Sequence, residues 1–274
     1  MKTKEPKITI ITINLNNEAG LRKTIESVVN QDFDDLEYIV IDGGSKDGSR
    51  NIIKEYVENI DYWVSEEDKG IYNAMNKGIN KSNGVFLLFL NSGDFLCSNN
   101  VINRINEIIR IDDDILVGNT ILDYPKGRKI RKNPKEIGPS FFLRKSISHQ
   151  ACFIRKTLFD KYGLYSEKYE TSSDKDFFIR ALIMNDAKYR YVDFNISIFD
   201  IGGIGSSEKY KELRKKEKQN IYENYFSKRM LISFERFNRV RYIADSRAFI
   251  NIYDFLLDVY RASSRFFNKL FSKV

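Results

Sequence analysis

The chain is poor in the residues on which several classes of small protein depend. It has one histidine, two cysteines and four prolines in 274 residues. Cys97 and Cys152 are not spaced as ligands of a metal, so neither a zinc site nor a disulfide framework is indicated. We expect both to be small packed side chains, Cys97 just after a loop and Cys152 within a strand.

Long apolar runs and glycine-rich phosphate motifs are missing as well. No segment holds the roughly 18 uncharged apolar residues that a membrane-spanning helix needs, and residues 1–7 lack the apolar region of a signal peptide. Neither a Walker A loop nor a G-x-G-x-x-G fingerprint occurs, which argues against an NTPase and a dinucleotide oxidoreductase. We therefore expect a cytoplasmic protein without a transmembrane pore.

Positive charge is concentrated towards the C-terminus. The net charge is +7, and residues 207–274 hold 16 Lys and Arg against 8 Asp and Glu. Residues 1–206 are therefore close to neutral. We predict a globular domain over residues 1–206 and a basic, amphipathic helical extension over residues 207–274. The positive charge of the extension indicates a negatively charged partner and says nothing about the fold.

The extension is predicted to form helices over residues 208–226, 231–244 and 249–271, with Arg and Lys between aromatic and aliphatic positions. Such helices can lie at an anionic membrane surface, which predicts peripheral association at the inner face of the cell membrane. The alternative is that they pack on the globular domain or on a second subunit in a homodimer. Nucleic acid is not an expected partner, because no nucleic-acid-binding motif is recognised.

Residues 7–90 alternate between short apolar strands and amphipathic helices. This order predicts an α/β fold, with a mainly parallel sheet flanked by helices. The predicted strands cover residues 7–13, 36–41, 61–65 and 85–90, and the predicted helices cover residues 18–30, 47–59 and 70–80.

Polar loops follow all four predicted strands. The last strand, over residues 85–90, leads through Asn-Ser-Gly to Asp94, and the earlier loops cover 14–18, 42–48 and 66–70. Because ligands of open α/β sheets bind at the carboxyl ends of the strands, these loops would line one crevice. A carboxylate there suits a hard divalent cation, which in turn suits a diphosphate. An Asp-capped turn is the alternative for Asp94.

Six segments carry a more specific signal through their order and intervals. They are IITINLNN (10–17), VIDGGSKDG (40–48), SEEDKGIYNAMNKG (65–78), LNSGD (90–94), SHQ (148–150) and SDKDFFIR (173–180). Together they resemble the family 2 glycosyltransferases of GT-A fold, and within them the colanic-acid and capsular-polysaccharide enzymes. The resemblance spans about residues 6–206 and implies a Rossmann-like sheet.

For the donor, the resemblance implies a nucleotide-diphospho-sugar, with a UDP-sugar as the expected case. Thr12, Asn14 and Glu18 would flank the nucleotide, and Asp42 would hydrogen-bond the base or the ribose. The remaining implied donor contacts are Asp68, Lys69, Gly70, Asn76, Ser92 and Gly93.

The resemblance also makes Asp94 the last carboxylate of a DxD-type motif that holds Mn²⁺ or Mg²⁺. The other acidic positions of the motif are Asn91 and Gly93 here, which leaves Asp94 as its only acidic ligand. Mg²⁺ commonly takes one or two carboxylates and keeps several waters. A second departure is Gly43, where many relatives have another Asp beside Asp42.

Asp174 precedes an apolar helical run and is expected at or just before a helix N-terminus. It is either an N-cap or, as the resemblance implies, the general base that takes the proton of the acceptor hydroxyl. One displacement with a single base inverts the anomeric configuration. Asp176 is expected to support the helix.

Two further features have a functional and a structural interpretation. The resemblance places His149 and Gln150 near the acceptor or the diphosphate, although a single histidine can equally be structural. The glycine-containing loop at 199–205 would close over the donor, or is an ordinary turn.

The implied function is that of a metal-dependent, inverting hexosyl- or N-acetylhexosaminyl-transferase of polysaccharide biosynthesis. Its acceptor would be a surface-glycan or lipid-linked saccharide. The alternative is a non-catalytic nucleotide-sugar-binding protein on the same fold, although a binding protein needs no base such as Asp174. A sugar nucleotidyltransferase is disfavoured, because no glycine-rich loop with a basic residue lies near the N-terminus.

Overall fold

The computed structural model describes residues 7–201 and 208–244, with side chains as far as residue 236. The chain divides into two compact units, residues 1–221 and 222–274. The predicted boundary after residue 206 stays a prediction. Most of the glycine-containing loop at 199–205, and the predicted helix over 249–271, lie outside the described residues.

Nine strands are found among the described residues. They are β1 (Ile8–Asn14), β2 (Leu36–Asp42), β3 (Tyr62–Ser65), β4 (Phe86–Phe89), β5 (Phe95–Leu96), β6 (Ile115–Tyr124), β7 (Gly127–Arg131), β8 (Cys152–Arg155) and β9 (Tyr189–Asp200). They form one sheet in the order β3-β2-β1-β4-β8-β6-β9-β5, and β7 pairs with β6.

Helices connect these strands and flank the sheet. The α-helices are α1 (Glu18–Val29), α2 (Ser49–Glu55), α3 (Ile71–Lys81), α4 (Val101–Ile108), α5 (Pro139–Arg144), α6 (Thr157–Tyr162), α7 (Ser173–Phe178), α8 (Lys211–Tyr225) and α9 (Lys228–Ala244). Short 3₁₀ turns cover Val57–Asn59, His149–Ala151 and Glu208–Tyr210, and a π turn, Ile179–Ile183, follows α7. Among the described residues, no helix is long and apolar enough to cross a membrane.

The first half of the sheet is parallel, as predicted. β1 pairs with β2 and β4, and β2 pairs with β3, all in parallel register. Every residue of β1 is buried, because helices cover both faces of the sheet at its centre. Asn14 pairs with Asp42, and Asp42 with Ser65, so the polar loops after these strands leave from one edge.

The second half of the sheet is mixed. β8 runs antiparallel between β4 and β6, while β9 runs parallel to β6 and antiparallel to β5. The stretch around His149 is a 3₁₀ turn that leads into β8, because a polar pair interrupts the apolar pattern. Cys152 is buried in β8 and Cys97 is half-buried after β5, as expected of packed thiols.

Some helix bounds differ from the sequence prediction. The helix predicted over 47–59 is α2 followed by a 3₁₀ turn. Asp47 lies before α2, where its carboxylate accepts the backbone N–H groups of Ser49 and Glu18, at 3.0 and 2.9 Å. Of the predicted extension, α8 and α9 are described.

Candidate active site

Asp94 is delivered by a tight turn at the carboxyl end of β4. Gly93 has φ +102°, a conformation that favours glycine. Thr24 of α1 holds both sides of the turn: its Oγ1 accepts from the Gly93 N–H at 3.0 Å and donates to the Asp94 carbonyl at 2.7 Å. Asn17, the N-cap of α1, donates to the Ser92 carbonyl at 3.0 Å. The start of α1 therefore fixes the backbone from Ser92 to Asp94.

The Asp94 carboxylate is buried at this edge, with 5% of the residue exposed. The end of β9 reaches it, since the backbone N–H of Asp200 donates to Asp94 Oδ1 at 3.2 Å. Burial raises the pKa of Asp94 to about 7; the charge of Asp200 adds to the rise, and the charge of His149 opposes it. The hydrogen bonds and positive charge around the ionised Asp94 are therefore too few to offset its loss of hydration.

The residues around Asp94 fit a divalent cation that a substrate would help to coordinate. The described residues hold no group of three or more His, Cys, Asp and Glu placed to bind a metal ion by themselves. Asp94 and Asp200 nevertheless supply two carboxylates at one strand edge. The buried Asn91 Oδ1 has no hydrogen-bond partner in the described part of the chain. Mg²⁺ is commonly held by one or two carboxylates together with substrate phosphates and waters.

Asp174 is the second residue of α7 and does not cap it, because the N-cap residue is Ser172. Its carboxylate receives the Tyr72 hydroxyl on Oδ1 at 3.2 Å, and His149 Nδ1 lies 3.5 Å from Oδ2. Burial acts to raise the pKa of Asp174, but hydrogen bonds from His149 and the Lys175 backbone N–H outweigh it and lower the pKa. Asp174 is therefore a carboxylate held in its ionised form.

His149 joins the Asp94 turn to Asp174. Its Nε2 lies 3.4 Å from Asn91 Nδ2, on the segment that carries Asp94, while Nδ1 faces Asp174. In the neutral form of the ring, a hydrogen bond from Asn91 to Nε2 leaves the proton on Nδ1, where it points to the carboxylate; in the charged form Nδ1 carries a proton as well. Gln150 is buried next to it. His149 thus lies between Asp174 and the segment that carries Asp94, whereas contact of Gln150 with the acceptor or the diphosphate stays a prediction.

Three of the predicted nucleotide residues are buried at the ends of β1 and β2, and two of them, Asn14 and Asp42, belong to one hydrogen-bond network. Asn14 Nδ2 donates to Asp42 Oδ1 at 2.7 Å, and Asp42 also accepts from Ser45 and Ser65. These hydrogen bonds outweigh burial and lower the pKa of Asp42. Asp42 and Thr12 are fully buried, and Thr12 Oγ1 pairs with the Tyr38 hydroxyl at 3.1 Å. In this structure the side chains of Asn14 and Asp42 hold the loops after β1 and β2 together by hydrogen bonds. Direct contact with a nucleotide stays a prediction.

The loop after β3 brings Asp68 to the glycines after β2. A Cβ at Gly43 would lie 3.0 Å from Asp68 Oδ2 and 3.4 Å from Leu15 Cδ1, so the glycine leaves room between these side chains. Asp68 pairs with Lys77 at 2.6 Å, yet burial raises its pKa. Leu15 is exposed to 57%. Asp68 and the exposed Leu15 thus form a wall on either side of Gly43.

The other predicted donor residues divide into exposed and structural positions. Glu18, the first residue of α1, is exposed, as are Lys69 and Gly70 in the loop before α3. Asn76 is buried, and its side chain holds the backbone of Tyr165 on both sides, at 2.9 and 3.1 Å, and bonds Glu167. It therefore ties α3 to the segment before α7.

Sequence reasoning did not single out several residues that the structure brings to the site. Tyr72 contacts the base candidate, Thr24 holds the Asp94 turn, and Asp200 reaches Asp94 from 106 positions away. Thr24 lies on α1 and Tyr72 on α3, and the side of each helix that faces the polar loops could have identified them. Asp200 belongs to the loop at 199–205 that is expected to close over the donor, but its contact with Asp94 depends on the course of β9 and was not predicted. Asp176 supports the helix as predicted, with its Oδ2 3.5 Å from Arg180 of the following turn.

Known proteins share both the sequence pattern and the fold. The model of glycosyl transferase family 2 matches residues 9–169. A PGL/p-HBAD biosynthesis glycosyltransferase of Mycobacterium bovis is 29% identical over 222 residues, which cover 77% of this chain and 84% of the relative. An uncharacterised glycosyltransferase of Mycobacterium tuberculosis is 32% identical over 218 residues, 74% of this chain and 79% of the relative.

Among solved structures, TarS 1–349 of S. aureus in complex with UDP-GlcNAc matches with a TM-score of 0.65 and 17% identity, covering 88% of this chain and 74% of that one. The mannosyltransferase PcManGT from Pyrobaculum calidifontis, in complex with GDP-Man and Mn²⁺, gives 0.57 and 14%, covering 77% and 61%. At such identities these likenesses establish the GT-A fold alone. Because the family model covers more than half of the sequence, the chain belongs to glycosyl transferase family 2.

Proposed function

We propose that the protein is an inverting glycosyltransferase that moves a hexosyl or N-acetylhexosaminyl group from a nucleotide-diphospho-sugar to a saccharide hydroxyl. The observation that carries the proposal is the continuity of the site. The imidazole of His149 contacts Asp174 on the proposed acceptor side and Asn91 on the proposed donor side, in the segment that carries Asp94, whose pKa it also affects. A donor at the strand edge and an acceptor at α7 would therefore meet beside the same side chain.

Asp174 is the proposed general base. Its carboxylate is ionised at neutral pH, since its pKa is lowered, and the Tyr72 and His149 bonds fix its orientation. It takes the proton of the acceptor hydroxyl as the oxygen attacks the anomeric carbon and the nucleoside diphosphate departs from the opposite face. With one base and one displacement, the configuration inverts.

Asp94, with Asp200 beside it, is the proposed holder of Mn²⁺ or Mg²⁺. A bound divalent cation would neutralise charge that develops on the leaving diphosphate. The chain's own contribution is the fixed turn: Thr24 and Asn17 hold the backbone from Ser92 to Asp94 before any ligand arrives. The complex of PcManGT with GDP-Man and Mn²⁺ supports a metal in this family of folds.

A UDP-sugar is the proposed donor. TarS in complex with UDP-GlcNAc supports it as a structural neighbour. The wall of Leu15, Gly43 and Asp68 would offer an apolar contact and a hydrogen-bond acceptor to any nucleotide base, so the preference for uracil rests on TarS alone. The proposed acceptor is a surface-glycan or lipid-linked saccharide. The PGL/p-HBAD biosynthesis glycosyltransferase, as a relative, supports a biosynthetic role by analogy.

The basic extension, residues 207–274, is the proposed contact with a cytoplasmic membrane surface. Its excess of Lys and Arg suits anionic lipid. Sedimentation with vesicles of phosphatidylserine and phosphatidylcholine tests this: binding lost in pure phosphatidylcholine supports it. If the protein binds neither type of vesicle and sediments as a dimer in sedimentation velocity, a contact between subunits is favoured instead.

A panel of nucleotide-sugars tests the proposed reaction. UDP-glucose, UDP-galactose, UDP-GlcNAc and GDP-mannose are each added with Mn²⁺ or Mg²⁺ and scored for thermal stabilisation and for release of the nucleotide. One donor that both stabilises the protein and is cleaved supports the enzyme. A donor that binds without cleavage, also in the presence of saccharide acceptors, would favour the non-catalytic binding protein.

A further inference from the structure

The helix that carries Asp174 begins without a side-chain cap of its own. The N-cap residue of α7, Ser172, makes no side-chain hydrogen bond to the helix. Instead, Glu217 of α8 binds the two residues immediately before it. Its Oε1 accepts the backbone N–H of Glu170 at 2.5 Å, and its Oε2 accepts the backbone N–H and the hydroxyl of Thr171, at 3.1 and 2.7 Å.

Glu217 is unusual within its helix. α8 is a strongly charged segment whose other acidic residue before the second unit, Glu212, is exposed, whereas Glu217 is only 6% exposed. A glutamate is almost never buried unless it is paired or hydrogen-bonded. Three donors from one short segment satisfy it here, and charge-assisted bonds of this kind are the strong ones.

A second contact joins the same two elements. The hydroxyl of Tyr169 donates to Asn220 Oδ1 at 3.0 Å, one helical turn after Glu217. Residues 169–171 are thus held by α8 at two points, three to five positions before Asp174. The family model ends at residue 169, so Glu170, Thr171 and all of α8 lie outside the part of the chain that it matches.

We propose that Glu217 is a positioning residue for Asp174, and that the first turns of the C-terminal extension belong to the acceptor side of the site. Its carboxylate fixes the backbone of Glu170 and Thr171, and through it the direction in which α7 presents Asp174 to the acceptor hydroxyl. The role rests on the proposed function, because it acts through the base. Glu217 itself touches neither donor nor acceptor in this assignment.

The test compares variants that differ in single hydrogen bonds. Glu217→Gln keeps the size of the side chain but replaces one carboxylate oxygen by an NH₂ group. Because both oxygens accept backbone N–H groups, the new donor must face another donor. Glu217→Asp keeps the charge with a shorter reach, and Glu212→Gln removes a charge from the exposed face of the same helix. Thr171→Val removes the hydroxyl bond alone, and Thr171→Ser keeps it. Each full-length variant is assayed for nucleotide release with the donor that the wild-type protein cleaves in the panel, well below its melting temperature.

We expect kcat of Glu217→Gln to fall about 10- to 100-fold, the usual effect of losing a contact that supports a functional group. The donor KM should change by less than about twofold, because the donor side of the site is not altered. Glu217→Asp should recover part of kcat. Thr171→Val should lose on the order of fivefold, and Thr171→Ser and Glu212→Gln should match the wild type.

Hydrogen exchange of residues 170–178 gives a readout that needs no donor. It should be faster in Glu217→Gln and unchanged in Glu212→Gln. Wild-type kcat in Glu217→Gln or, if that variant does not fold, in Thr171→Val would overturn the positioning role, provided that Asp174→Asn is inactive. Wild-type kcat in Asp174→Asn would instead overturn the proposed base, a separate failure.

Discussion

Replacing Asp94 by Asn is expected to stabilise the metal-free protein at neutral and alkaline pH. Burial raises the pKa of Asp94 to about 7 in the folded chain, against about 3.9 for an unperturbed Asp. The folded state therefore binds this proton more tightly than the unfolded state. The contribution of Asp94 to stability is largest below pH 4 and is lost as the pH rises through 7.

The size of the effect follows from the difference of roughly three pKa units. At 1.36 kcal/mol per unit, ionising Asp94 in the folded protein costs about 4 kcal/mol in total, of which about 3 kcal/mol falls between pH 5 and pH 8. Asn has the same shape and keeps an oxygen for the Asp200 N–H. It carries no charge, so it avoids the cost.

Urea unfolding in EDTA at pH 5 and pH 8 measures the effect. The advantage of Asp94→Asn over the wild type should grow by about 3 kcal/mol between the two pH values. Asp34→Asn, which removes the same charge from an exposed turn, should show little change. An Asp94→Asn advantage that is equal at both pH values would refute the buried, uncompensated carboxylate.

Three further predictions follow from single contacts. Tyr72→Phe removes a donor to Asp174 and so raises the pKa of that carboxyl; the acid limb of kcat/KM should move to higher pH, and an unmoved limb would contradict this. Excess EDTA should abolish donor cleavage and Mn²⁺ should restore it, whereas activity retained in EDTA would exclude the metal at Asp94. Gly78→Ala would place a Cβ 2.4 Å from Ile11 Cγ2. The cost of overpacking, about 1–3 kcal/mol, should exceed the gain in helix propensity of about 1 kcal/mol, so the variant should unfold at a lower urea concentration. A variant more stable than the wild type would contradict the close packing of α3 on β1.

The parallel half of the sheet could be predicted because its signals are local. Each strand is a short apolar run, each helix has its own periodicity, and each loop follows directly, as with β4 and Asp94. Parallel pairing then places the ends of β1, β2 and β3 at one edge. The crevice follows from this order without any knowledge of side-chain contacts.

The rest of the site could not be predicted because it depends on contacts between distant parts of the chain. Asp200 meets Asp94 only because β9 runs beside β5 and β6. Glu217 meets Thr171 only because α8 lies against the segment before α7. The sequence places the loop at 199–205 near the donor by resemblance, but it does not predict the contact of Asp200 with Asp94 or that of Glu217 with Thr171. The resemblance implies a donor contact for Asp42 from its position in the motif, whereas its hydrogen bonds to Asn14 and Ser65 depend on the fold.

The comparison of Asp94→Ala with Asp174→Asn tests the central claim most directly. Donor binding is measured by calorimetry with Mn²⁺, and turnover by release of the nucleotide from the same donor. We predict that both variants lose turnover and that only Asp94→Ala loses Mn²⁺-dependent donor binding. Wild-type turnover in Asp174→Asn, or unchanged metal-dependent binding in Asp94→Ala, would contradict the division of the site into a donor side at Asp94 and a base at Asp174.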